Sequence, residues 1–77
     1  MIVKCGRDEF ELNKEDIIMY NGACYQIITR KKYSGYNLIP PTIAKNKAIK
    51  LIKDGLLKKV TLENPPFKDD YITYYSI

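Results

Sequence analysis

The residues best suited to chemistry lie between Arg30 and Lys59. This segment holds nine basic residues and one acid, Asp54, which gives it a net charge of +8. Residues 1–29 carry three basic and five acidic groups, and residues 60–77 carry one and three, so each flank has a net charge of −2. The overall charge of +4 therefore comes from one strongly basic segment between two mildly acidic ones. Such segregation favours an anionic partner.

Two parts of the basic segment could bind phosphates. Lys47, Lys50 and Lys53 follow one another at i, i+3 and i+6, which places them on one face of a helix. Ahead of them, a predicted hairpin tip combines three cations with two aromatic rings, and this combination suits contact with single-stranded nucleic acid or RNA. The tip residues are Arg30, Lys31, Lys32, Tyr33 and Tyr36.

The composition of the basic segment predicts weak sequence specificity. Lysine outnumbers arginine eight to one within residues 30–59. Lysine binds phosphate as a point charge, whereas arginine can form paired hydrogen bonds with a base edge. The sequence thus favours a small non-enzymatic module that binds nucleic acid. The alternative interpretation, in which the lysines only solvate an amphipathic helix, stays open.

A second hypothesis is a protein-binding inhibitor or adaptor of the kind that mobile elements carry. Tyrosine, of which there are seven, supplies a large amphipathic contact area at a low entropy cost. Tyr71, Tyr74 and Tyr75 fall on a C-terminal strand whose edge could add a partner's strand or pair two copies into a homodimer. The competing interpretation is that the tyrosine rings cap a thin core.

Residues for catalysis, metal binding or a cofactor are scarce. Histidine, the commonest general base and metal ligand, is absent. Cys5 and Cys24 lie in apolar strand-like runs, which favours buried free thiols over a disulfide. The acid pairs Glu15–Asp16 and Asp69–Asp70 could hold Mg²⁺, but adjacent acids are usually just solvated. We therefore expect no enzymatic activity, no metal and no cofactor.

The length of the chain, 77 residues, predicts a single domain with a thin core. A domain of this size buries only about 60% of the surface of its unfolded chain. The N-terminus reaches a charge at Lys4, before a signal-peptide core could form, and no apolar run approaches the roughly 20 residues that span a bilayer. We expect a cytoplasmic protein with no membrane partner.

Two hairpins are predicted before residue 30. Pairing Cys5 with Phe10 around a four-residue turn puts the apolar side chains of the first hairpin on one face. The runs on either side of Asn21–Gly22 fit a two-residue type I′ loop, which would pair Tyr20 with Ala23. Both faces of the second hairpin are largely apolar, so it should lie at the centre of the sheet.

One helix is predicted at about 43–54. Thr42 suits its N-cap and Gly55 its C′ position, while Ala44, Ala48, Leu51 and Ile52 would face the core. A short strand at 37–39 should precede it, and a strand with Leu56 on its inner face and a final strand at 71–77 should follow. The sequence thus predicts an α+β fold, in which this helix packs on a small antiparallel sheet. The sheet should have five to seven short strands, either open or coiled into a partly open barrel.

From Thr42 onward the order of predicted elements is helix, glycine, strand, proline-bearing loop and strand. This order resembles the second half of a winged helix, a family in which the helix before the wing enters the DNA major groove and the wing touches the backbone. The resemblance covers about half of the chain. The residues before Thr42 depart from the family, because they are predicted strands where the family has two helices.

Overall fold

The computed structural model describes residues 1–29, 41–67 and 69–77. Within these residues one helix accompanies antiparallel strands, which confirms the predicted α+β class. The tip and return strand predicted at residues 30–39 lie outside the described part of the chain. The elements are β1 Ile2–Cys5, β2 Asp8–Glu11, β3 Ile18–Tyr20, β4 Tyr25–Ile27, β5 Thr42–Ile43, α1 Lys45–Lys53, β6 Lys58–Val60 and β7 Thr73–Ser76.

Five strands form one antiparallel sheet in the order β5-β4-β3-β7-β6, and β1 and β2 form a separate hairpin. The described strands form an open sheet and do not close into a barrel. The central hairpin β3–β4 is interior, as predicted. The C-terminal strand is interior too, because β7 pairs with β3 on one side and with β6 on the other. The prediction that this strand offers a free edge is therefore wrong; among the described strands, β5 and β6 are the edges.

The register of the first hairpin differs from the prediction by two residues. Cys5 pairs with Asp8, and Val3 pairs with Phe10. The turn contains only Gly6 and Arg7, and Gly6 has φ of +66°, as a glycine at the first central position of a type II′ turn should. Because the shift is an even number of residues, the same side chains stay on the inner face.

The central hairpin shows the same kind of shift. Tyr20 pairs with Tyr25, so the loop has four residues where a two-residue type I′ loop was predicted. The Asn21 side chain explains the longer loop, because its Oδ1 accepts hydrogen bonds from the backbone N–H groups of Ala23 and Cys24, both at 2.9 Å. Asn21 does not have positive φ, and Gly22 alone takes it, at +91°. A type I′ turn needs positive φ at both positions.

Helix α1 begins later than predicted and ends as predicted. Thr42 and Ile43 belong to β5, where Ile43 pairs with Tyr25 and is almost fully buried, so Ala44 takes the N-cap position that was assigned to Thr42. At the other end, Gly55 has φ of +80° and its N–H donates to the Ile52 carbonyl. The Leu56 N–H donates to the Leu51 carbonyl, which completes a Schellman motif.

The main core lies on one face of the sheet, between the sheet, the β1–β2 hairpin and α1. The helix contributes Ala48 and Leu51 to it, as predicted, whereas Ala44 is exposed. After the helix it is Leu57, and not the predicted Leu56, that enters the core; Leu56 is about half exposed. The buried members are Val3, Cys5, Leu12, Ile18, Tyr25, Ile27, Ile43, Ala48, Leu51 and Leu57.

The opposite face of the sheet has a different cover. Met19 and Tyr74 are opposite each other in the register of β3 and β7, and both are buried. The connection between β6 and β7, described at residues 61–67 and 69–72, lies against this face. The Tyr74 hydroxyl donates to the Phe67 carbonyl at 2.9 Å and accepts from the Phe67 N–H at 3.2 Å. The Tyr74 hydroxyl thus attaches this connection to the sheet.

Candidate nucleic-acid interface

The outward face of α1 carries the three lysines that the helical spacing selected. Lys47, Lys50 and Lys53 are all exposed, because Ala48 and Leu51 hold the opposite side of the helix in the core. Six residues of helix at 1.5 Å per residue place Lys47 and Lys53 about 9 Å apart along the axis. This array, defined as the α1 lysine face, is the part of the predicted interface that the structure brings together.

The α1 lysine face has little negative charge nearby to neutralise it. The first turn of the helix contains no acid. Asp54 forms an i,i+4 ion pair with Lys50 at 3.7 Å, and both side chains are largely exposed, so the pair is weak. Lys50 and Lys53 lie in the last turn, where the partial negative charge of the helix end favours cations.

The N-terminal end of the lysine face borders a groove of about 370 Å³. Lys47 and Ala44 form one wall, and the outer face of the β1–β2 hairpin forms the other with Ile2, Lys4 and Glu9. Lys4 and Glu9 are cross-strand partners, so this wall carries both signs of charge. The helix wall of the groove is therefore basic, whereas the hairpin wall is of mixed charge.

The hairpin-tip part of the predicted interface falls on residues that the structure does not describe. Arg30, Lys31, Lys32, Tyr33 and Tyr36 all belong to this segment. Their position relative to the α1 lysine face stays a prediction. The candidate site built from described residues is therefore the helix alone.

Two further exposed lysines, Lys58 and Lys59, lie on the edge strand β6. Both belong to the basic segment 30–59 but not to the two parts of it that were predicted to bind phosphates. Their position could have been noticed, because a strand that starts three residues after a C′ glycine and carries adjacent lysines is typical of a protected sheet edge. On the described part of the sheet, β6 pairs only with β7.

Most of the described tyrosines are structural. The Tyr20 and Tyr25 rings stack with centroids 4.4 Å apart, and the Tyr75 ring lies 6.0 Å from that of Tyr25. Burial raises the pKa of Tyr25 above its ordinary value, and the neighbouring Tyr75 and Tyr20 hydroxyls add smaller increases. Only Tyr71 among the five described tyrosines is mostly exposed, at 63%. These rings cap a thin core, as the competing interpretation of the tyrosines predicted.

The two cysteines lie in the β1–β2 and β3–β4 hairpins, and the acid pair Glu15–Asp16 lies in the connection between β2 and β3. Burial, together with the Asp8 carboxylate, raises the pKa of the Cys5 thiol, and both cysteines are free. Asp16 turns inward, where its two oxygens accept hydrogen bonds from the Asn13 N–H and the Thr29 hydroxyl, while Glu15 is exposed. Over the described ranges no three His, Cys, Asp or Glu side chains are grouped to hold a metal ion.

No described helix has the length and apolar character that a membrane span requires. The chain matches no known protein-family model, and comparison with curated proteins and with solved structures finds no significant similarity.

Proposed function

We propose that this protein binds nucleic-acid phosphates through the α1 lysine face, with little sequence specificity. The observation that carries the proposal is the exposure of Lys47, Lys50 and Lys53 on one side of a helix whose other side is fixed in the core. Because the three lysines share one packed helix, their Cα positions are already in a row before a ligand binds.

Lysine determines what kind of binding this is. An ammonium group neutralises a phosphate as a point charge and releases a counterion, which gives affinity without reading bases. Asp54, at the C-terminal end of the helix, pairs with Lys50 only weakly across solvent. A phosphate can therefore displace it at small cost.

The salt dependence of binding tests the proposal. We expect a fluorescently labelled single-stranded 20-mer, as DNA and as RNA, to bind with log Kd rising by about 0.7 per unit of log salt for each phosphate contacted, and a DNA duplex by about 0.9. Three helix contacts predict a slope of about 2 for the single strand. A flat titration, or no binding at low salt, would refute nucleic-acid binding.

Substitution of the lysines tests the location. The triple variant Lys47→Gln, Lys50→Gln and Lys53→Gln should bind every sequence more weakly and lose most of the salt slope. A matched control removes the same charge from exposed positions away from the helix and its groove, with Arg7→Gln, Lys14→Gln and Lys59→Gln. Equal losses in the two triple variants would show that net charge acts, and not the α1 lysine face.

The second candidate, a protein-binding inhibitor or adaptor, is less favoured by the described residues. Four of the five described tyrosines are buried or half-buried, and the C-terminal strand has neighbours on both sides. Affinity capture from a host lysate with and without nuclease discriminates the candidates. Capture that nuclease abolishes agrees with the first, and one protein retained at equal stoichiometry after nuclease agrees with the second.

A further inference from the structure

The edge strand β6 has one side free of sheet pairing among the described residues. Lys58, Lys59 and Val60 pair with Ser76, Tyr75 and Tyr74 of β7, and no other described strand lies beyond them. In an antiparallel sheet, alternate residues of an edge strand direct their N–H and C=O groups away from the sheet. Such an edge is a template for a strand from another chain.

A groove of about 300 Å³ borders this edge. It lies beneath the segment 61–72, and β6 itself contributes Lys59 and Val60 to its lining. The rest of the lining is largely apolar, and Phe67, at its mouth, remains 49% exposed. The apolar lining comes chiefly from Val60, Leu62, Pro65, Phe67, Ile72 and Tyr74. An added strand could therefore place one apolar side chain in the groove.

The charges of β6 select the occupant. A second copy of the chain, paired antiparallel and centred on Lys59, would put that lysine opposite itself, which is unfavourable. An acidic strand would instead place carboxylates opposite these lysines, which is favourable. Asp69 lies on the groove wall, so a carboxylate is disfavoured in the groove, whereas opposite Lys58 and Lys59 it is favoured.

We propose that β6 binds an extended acidic peptide as a sixth, antiparallel strand. Residues that are opposite each other in an antiparallel pair share a face, and Val60 faces the groove side together with Met19 and Tyr74. The peptide residue opposite Val60 is therefore apolar, and the next two, opposite Lys59 and Lys58, are acidic. The motif read from N- to C-terminus is apolar–acid–acid.

Two labelled peptides of identical composition test the order of the motif. One has Phe-Glu-Glu at its centre, the other Glu-Glu-Phe, and both carry two threonines on each side. Fluorescence anisotropy should give an affinity about fivefold higher for Phe-Glu-Glu, and amide shifts in NMR spectra of the full chain should centre on β6 and residues 61–72. Equal affinities, tighter binding of the reversed peptide, or binding of neither would overturn the proposal.

A charge swap separates this surface from the nucleic-acid proposal. The variant with Lys58→Glu and Lys59→Glu should bind the Phe-Glu-Glu peptide about tenfold more weakly and gain affinity for Phe-Lys-Lys. The same swap on the helix, Lys47→Glu with Lys50→Glu, should leave peptide binding unchanged while it abolishes nucleic-acid binding. Peptide affinity that drops equally in both variants, or that survives the β6 swap, would refute the β6 site.

Discussion

The two faces of the five-stranded sheet are covered in different ways. One face packs against a hairpin and a helix, and its residues Ile18, Ile27 and Ile43 are almost completely buried. The other face is covered by the irregular segment 61–72, where Met19 and Tyr74 are less completely buried and an open groove remains. Regular elements make their own backbone hydrogen bonds and can close over a core, whereas an irregular segment must be tied down by side chains.

This difference assigns most of the stability to one face of the sheet and leaves the accessible groove on the other. The hairpin-and-helix face holds most of the buried apolar area of a small domain, so it should contribute most of the free energy of folding. The face under residues 61–72 contributes less and keeps an accessible groove. The α1 lysine face lies on the outside of the helix that covers the first face, and Ala48 and Leu51 anchor that helix in the main core.

The largest expected effect tests whether stability resides on the hairpin-and-helix face. A 77-residue domain has a free energy of unfolding of about 4–12 kcal/mol. Ile27→Ala removes a side chain with no exposed surface and should cost about 4 kcal/mol, measured by urea unfolding. Met19→Ala on the other face should cost about 2 kcal/mol, because the irregular cover can relax into the space. Equal costs would contradict the difference between the faces.

The second prediction concerns the hydrogen bonds that attach the connection between β2 and β3 to the sheet. Asp16 is buried, and its carboxylate accepts hydrogen bonds from the Asn13 N–H at 2.7 Å and the Thr29 hydroxyl at 2.9 Å. The Thr29 hydroxyl oxygen in turn accepts from the Ile17 N–H at 3.1 Å. Asp16→Ala leaves these donors unsatisfied and should lower the free energy of unfolding by about 3 kcal/mol.

Its neighbour provides the control. Glu15 is exposed, so Glu15→Ala should change the free energy of unfolding by less than about 0.5 kcal/mol. If Asp16→Ala proved as mild as Glu15→Ala, the carboxylate would not be what attaches the connection between β2 and β3 to the sheet.

The third prediction tests how the connection between β6 and β7 is attached to the sheet. Tyr74→Phe keeps the ring and removes both hydrogen bonds to the Phe67 backbone, so it should cost about 1 kcal/mol. Hydrogen exchange at the Phe67 amide should accelerate while the amide of Ile27 stays protected. Tyr71→Phe is the matched control, because it removes only one exposed 3.3 Å contact with Asp69. Similar exchange in the two variants would show that Tyr74 does not hold the segment.

The sequence predicted the faces of the strands better than their registers. In the first hairpin the alternation of apolar residues identified the inner face, and in the second the apolar character of both faces predicted a central place in the sheet. In both hairpins the predicted pairing was wrong by two residues. The Asn21 side chain decided one case, because it bonds the Ala23 and Cys24 amides and so extends the loop. Gly6, which supports a two-residue turn, decided the other. Apolar periodicity does not distinguish registers that differ by two.

Long-range contacts account for the other differences. Thr42 was predicted to cap α1, but Ile43 gains more by pairing with Tyr25 in the core. Local propensity is a weak determinant against such burial. Likewise, the position of β7 between β3 and β6 depends on pairing between residues more than 50 apart, which no local pattern encodes. The α1 lysine face was predictable because it follows from helical periodicity alone.

The smallest expected effect is a pH dependence of the hairpin-and-helix face. Burial and the Asp8 carboxylate raise the pKa of Cys5 above its ordinary value of 9.0. The folded chain therefore holds this proton more tightly than the unfolded chain does, so the stability is fully present below pH 9.0 and falls as the pH rises past it. Urea midpoints of the reduced protein between pH 8 and about 9.5, below the range in which Tyr25 titrates, should show this fall.

The two cysteines provide the test and its control. Cys5→Ala should flatten the fall in stability with pH. Cys24→Ala, which removes a half-buried thiol from the β3–β4 loop, should leave that fall intact. An equal slope in both variants would mean that the burial of Cys5 does not control its proton, and that the hairpin covers this face less tightly than the contacts indicate.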